Sequence, residues 1–147
     1  MKRNIIVLSL LSLCLVAIML FASCNGGDGD GDSSPSELYN ATGTWNVGWA
    51  PGANMGMLVL YLTQDASGTI TGTVERATLT GGWDPGTITS GSNVNNAITI
   101  TILMSDQMTI ILEGTITDAN NMSGSSRNYY GDPNTADTAD WAATKAF

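Results

Sequence analysis

The sequence predicts an all-β domain, eight antiparallel strands in up-and-down order closing into a barrel, carried behind an export segment and a polar linker. Three observations predict it. Apolar residues recur at every second position through most of the chain after residue 43, the period of a strand with one buried face. Only 12 % of the 147 residues are charged, and 17 are Gly. The Glu, Lys and Arg that long exposed helices use are therefore scarce, while the abundant Thr and Ile suit a pleated surface. Finally, the phrase Gly-Thr-Ile-Thr occurs at 68–71, 86–89 and 114–117, each time near Gly, Asn or Asp. The unequal spacing suggests a meander of similar hairpins rather than a solenoid.

The first element is the segment 1–23. Lys2 and Arg3 give a positive start, 5–21 is uncharged and mostly apolar, and the small residues Ala22 and Ser23 precede Cys24. That order is the pattern of a secretory signal. Phe21-Ala22-Ser23-Cys24 resembles a bacterial lipobox, departing from it at Phe21, where Leu is usual. Cys14 is a poor competitor because Leu13 fills the position that should be small. The lipobox resemblance implies that Cys24 becomes the first mature residue, carrying a diacylglyceryl thioether and an acylated amine. Several acyl chains together anchor stably to a membrane where one binds only marginally. The alternatives are an uncleaved span, for which 5–21 is short, and a cleaved signal without lipid. Asn25 rather than Asp follows the cysteine, which by the same resemblance favours the outer membrane of the envelope over the inner one.

The second element, 24–36, reads as a lipid-anchored Gly/Asp/Ser linker with no apolar side chain to bury. Asp28, Asp30 and Asp32 alternate like the start of a calcium loop. Ser33 and Tyr39 stand where that loop needs Gly and Glu, so a hydrated spacer is the expectation.

The domain then spans 37–147. Alternation places Trp45, Val47 and Trp49 on one face of a first strand over 43–49, and Leu58, Leu60 and Leu62 on one face of a second over 57–64. A third, 69–78, aligns Ile70, Gly72 and Val74, with Glu75 on the other face. Trp83-Asp84-Pro85-Gly86 reads as a turn before a short, weak strand over 87–92. The fifth strand, 97–104, aligns Ile98, Ile100, Ile102 and Met104; the sixth, 108–117, aligns Met108, Ile110, Leu112 and Ile116. A weaker seventh covers 122–130. After a loop over 131–138, the eighth, 140–147, aligns Trp141, Ala143, Lys145 and Phe147. Eight strands with one apolar face each can close around a core just wide enough for side chains or one small ligand. Gly72 and Gly114 fall on inward positions, where a closing sheet must bend. A β-sandwich is the alternative, but sandwiches use longer crossovers than these short turns provide.

The opening Gly43-Thr44-Trp45 resembles the Gly-x-Trp start of calycins, the lipocalin and avidin superfamily, and Asp140-Trp-Ala-Ala-Thr-Lys-Ala-Phe147 resembles the closing strand of lipocalin-like domains. The resemblance implies a lipocalin-like barrel and a basic residue, Lys145, over Trp45. The biotin site of avidin is not implied, because Val47 stands where that site uses Asn.

Composition excludes several functions. There is no His, which removes the usual general base and the commonest metal ligand. After removal of 1–23, three basic residues remain against thirteen acidic ones, a net of −10. Such a surface repels phosphate backbones, so no nucleic-acid partner is expected. Glu75 and Glu113, the mid-strand carboxylates, belong to the polar face and should meet solvent rather than catalyse. Met104 and Met108 read as core filler rather than copper ligands, and Met55 and Met57 lie near a loop. No cofactor, no metal site and no enzyme activity are expected.

The expected function is therefore non-catalytic: an envelope lipoprotein taking a small apolar or amphipathic ligand within the barrel, lined by Leu60, Ile70, Val74, Ile100 and Leu112. Trp83, Tyr129, Tyr130 and Tyr61 are the candidate ligand-binding aromatics, since aromatics near a barrel mouth suit stacking or apolar entry. The alternative is a structural or interaction lipoprotein with a filled interior, acting through its loops or outer face. Trp45 and Trp49 are expected to cap the barrel floor.

Overall fold

The computed structural model describes residues 37–50 and 56–147; the export segment, Cys24, the linker and Met55 lie outside the described residues. Eight strands follow in order: β1 Gly43–Trp49, β2 Leu58–Gln64, β3 Ile70–Ala77, β4 Trp83–Val94, β5 Ala97–Met104, β6 Met108–Asp118, β7 Asn121–Tyr130 and β8 Asp137–Lys145. Each pairs antiparallel with the next, and β8 pairs with β1, closing the barrel in simple up-and-down order. The sandwich alternative is thereby set aside. One turn of 3-10 helix, Pro133–Thr135, capped by the Asp132 side chain, leads into β8.

Alternation decides which side chains fill the barrel. Leu58, Leu60, Ile70, Val74, Ile98, Ile100, Ile102, Ile110, Leu112 and Ile116 are all buried in one continuous cluster, joined by Met104, Met108 and Met122. The intervening Thr residues face out. A barrel of this strand number is narrow, and an inner β-carbon is not tolerated everywhere. Gly72 has φ +151°, and a β-carbon there would run into the Tyr61 carbonyl oxygen across the β2–β3 ladder. Gly thus sits where the sheet bends most closely on itself.

Two expectations about the strands are corrected. The segment 83–86 is not a turn but the start of β4, the longest strand. Its ladder with β3 begins at Ala77↔Trp83, and the true turn comes earlier, where Thr78 accepts from the Gly81 and Gly82 amides. Pro85 misled because proline lacks an N–H; here its carbonyl still accepts from the Ser105 amide. A bulge between Ile88 and Ser90 shifts the register. The inward side changes from even to odd positions there, which made the segment read as weak. Phe147 lies beyond β8 and is fully exposed rather than sharing the face of Trp141 and Ala143.

The two poles of the barrel differ. At one, the segment 37–42 lies across the end and is sewn to the strand ends. The Tyr39 amide donates to Asn96 Oδ1, Asn96 Nδ2 donates to the Glu37 carbonyl, the Ala41 amide donates to Gln64 Oε1, and Asn93 Nδ2 donates to the Tyr39 carbonyl and to Gln64 Oε1. Trp45 is wholly buried beneath it and donates from Nε1 to the Ala41 carbonyl at 2.8 Å. Lys145 Nζ stands 5.3 Å from the Trp45 ring centroid, as the closing-strand resemblance implied. Trp45 therefore caps this floor, but Trp49, paired with Trp141 at the far end of β1, does not. Among the described residues no segment lies across the other pole, which is open.

Candidate functional site: the open mouth

At the open pole, the ends of β3, β4, β7 and β8 and the β3–β4 turn surround a cleft of about 780 Å³. That is within the range of small-molecule sites. The inner registers of three strands change from apolar to polar as they reach it. On β3 the series Ile70, Gly72, Val74 ends in Arg76. On β4 the residue opposite Arg76 is Asp84. On β7 the series Met122, Gly124 and Ser126 continues into Asn128 and Tyr130. Met108, Leu79, Ala77 and Ala139 supply apolar wall between these polar groups.

Arg76 organises one side. Its Nη2 donates to Asp84 Oδ2 at 2.8 Å and to Asp106 Oδ2 at 2.7 Å, and its Nη1 lies 3.5 Å from Met108 Sδ. Tyr130 completes the set, donating its hydroxyl to Asp106 Oδ2 at 3.0 Å. Burial opposes the guanidinium charge, but the bonds to Asp84 and Asp106 outweigh it and hold the proton more firmly than in an ordinary arginine. Burial likewise works to raise the Asp106 carboxyl. The Arg76 bond, the Met108 amide and the Tyr130 hydroxyl overcome it and hold the group below the usual carboxylate range. One cation thus ties β3, β4, the β5–β6 turn and, through Tyr130, β7 around the mouth.

The opposite side is less committed. Asn128 and Asp137 are direct partners across the β7–β8 ladder, and both line the cleft. Asn128 Oδ1 is shielded from solvent and has no hydrogen-bond partner. Buried polar atoms are rarely left so. The other such oxygen, Asn93 Oδ1, belongs to the plugged pole, where its own amide nitrogen is doubly engaged.

The expected aromatics divide. Tyr129 and Tyr130 line the cleft. Trp83, at the start of β4, is half exposed and does not line it. Tyr61 stands on the outer wall and donates its hydroxyl to Glu75 Oε2 at 3.0 Å. That bond, with burial and the Glu75 charge, raises the phenol above its ordinary value. Glu113 likewise faces out, 3.5 Å from Arg127. Leu60, Ile70, Val74, Ile100 and Leu112, expected to line a ligand cavity, are packed against one another below the cleft and none lines it. Cys24 lies outside the described residues. The sequence reading missed Arg76, Asp84, Asp106 and Asn128. A signal existed for Arg76 and Asn128, which continue the inward parity of β3 and β7 and break its apolar character.

No family model and no curated relative matches the chain. Among solved structures it is similar to a redesigned β-barrel, with a TM-score of 0.56 at 10 % identity, covering 72 % of this chain and 90 % of that one. At that identity the likeness concerns fold alone, and it agrees with the strand order: the domain is a closed, eight-stranded, up-and-down antiparallel barrel.

Proposed function

We propose that the chain is a non-catalytic lipoprotein of the bacterial cell envelope whose lipocalin-like barrel takes a small amphipathic ligand at its open mouth. The observation that carries the ligand reading is the cleft of about 780 Å³, with apolar wall from Met108 and Leu79 beside polar groups on the inner faces of β3, β4, β7 and β8. Apolar lining supplies affinity and a few placed polar groups supply orientation. A cleft of this size does not favour the alternative of a filled barrel acting only through its exterior.

The anchoring part of the proposal rests on the lipobox-like sequence ending at Cys24. Glu37, where the described residues begin, lies at the plugged pole, opposite the cleft. The non-catalytic part rests on the absence of His and on the two mid-strand glutamates, which are turned outward and occupied by Tyr61 and Arg127. Kinship with lipocalins is supported by the Gly-x-Trp start and the Lys145–Trp45 stack.

The test of binding uses the segment Glu37–Phe147, which contains every strand and the whole core cluster. The neutral apolar dye N-phenyl-1-naphthylamine should gain fluorescence saturably on titration with this domain, and Met108→Asp should abolish the gain. A linear, unsaturable response from the wild-type domain would remove the ligand reading. For the anchor, intact mass spectrometry of full-length protein expressed in a bacterial host should show a triacylated N-terminal Cys24, lost in Cys24→Ser. A free thiol at Cys24 would remove the anchoring reading.

A further inference from the structure

Two features of the mouth together specify more than a volume. The first is its charge. Arg76 is the only basic residue lining the cleft among the described residues, and Asp84 and Asp106 already share it. Asp137, also in the lining, is not part of that arrangement. The second is the position of Asp137, which is the direct partner of Asn128 across the β7–β8 ladder and lines the cleft with it. Side chains of direct cross-strand partners project from the same face a few ångströms apart. Asp137 thus shares the inward parity of Asn128, and its exposed carboxylate is the acceptor presented to a small group in the cleft.

Resting on the ligand reading above, we infer that the cleft selects an organic cation: a protonated amine on an apolar or aromatic body. The ammonium donates an N–H bond to the Asp137 carboxylate, and bonds between charged partners are the stronger kind. The apolar body lies against Met108, Leu79 and Tyr129. An anionic amphiphile meets the reverse situation, because Arg76 is already committed to two carboxylates and Asp137 repels the head group. Fatty acids are therefore disfavoured, although the barrel is of a size to hold a single small ligand.

Three probes share one fluorophore and differ in charge: dansylcadaverine is cationic, dansylamide neutral and dansylglycine anionic. Titrated into the Glu37–Phe147 domain at low ionic strength, dansylcadaverine should bind at least about tenfold more tightly than dansylglycine, with dansylamide between them. Raising the salt to several hundred millimolar should shrink that gap. Asp137→Asn should bring the cation and anion to within about threefold of each other. Asp137 is exposed at the start of β8, so that variant should keep the wild-type unfolding midpoint. Equal binding of all three probes, a preference for dansylglycine, or a cation preference that survives Asp137→Asn would overturn the inference while leaving a ligand-binding mouth intact. Absence of saturable binding by any probe would overturn the ligand reading itself.

Discussion

The two ends of this barrel use similar chemistry to different effect. At the plugged end, amide side chains bond to the backbone of 37–42: Asn96 spans Glu37 and Tyr39, and Gln64 takes the Ala41 amide. A neutral amide both donates and accepts, so it can replace the hydrogen bonds a crossing strand of backbone loses on burial. The result covers Trp45 completely. At the open end, charged groups bond to each other around a rim. One end converts polar groups into closure. The other holds its polar groups in place around a space.

Changes at the plugged end should cost most. Trp45→Ala, which empties a wholly buried site and frees the Ala41 carbonyl, should destabilise the domain by about 3–5 kcal/mol in urea unfolding. A loss under 1 kcal/mol would mean that the plug does not depend on what lies beneath it. Asn96→Ala comes next, at about 2–3 kcal/mol: two hydrogen bonds to the plug are lost, and a side chain that tolerates φ +68° is replaced by one that does not.

At the open end, Arg76→Met should cost about 1–2 kcal/mol, less than a fully buried pair would, because both partner carboxylates are 35 % exposed. That loss should depend on pH in one direction. The folded protein holds Asp106 below its ordinary value, so the stabilisation is present above the unfolded value, about 3.9, and fades as pH falls through the lower folded value. The wild-type advantage over Arg76→Met should be level between pH 5 and 7 and shrink below pH 4. A gap that widens on acidification would show that Asp106 does not carry it.

The smallest effect should have the opposite sign. Asn128→Leu removes an unpartnered acceptor and should leave stability unchanged or raise it by up to about 1 kcal/mol in urea unfolding. Destabilisation beyond 1 kcal/mol would mean that Asn128 is structural.

Much of the barrel was legible in the sequence, because period-2 burial is a local signal. Ile98, Ile100 and Ile102 announce their face without help from the rest of the chain. The signal failed where register changes. The bulge at Ile88/Ser90 transfers β4 from one parity to the other, and Asp-Pro-Gly resembles a turn wherever its tertiary neighbours are unknown. The candidate site was legible only in part. Tyr129 and Tyr130 were found as aromatics beside a loop, whereas Arg76 and Asn128 matter because strand register and the β5–β6 turn bring Asp84, Asp106 and Asp137 near them.

By itself the sequence determined the all-β class, the strand number, the inward face of most strands and the pairing of Lys145 with Trp45, since each follows from alternation or from a motif at a strand end. Only the tertiary structure decided which pole is closed and which is open. That outcome depends on where six residues before β1 come to rest, and on which polar side chains meet when β3, β4, β7 and β8 arrive at one mouth. Alternation fixes which way a side chain points. It carries no information about what will stand opposite, because that depends on strand register: Asp84 is 8 residues from Arg76 and Asp106 is 30, and pairing brings both to it.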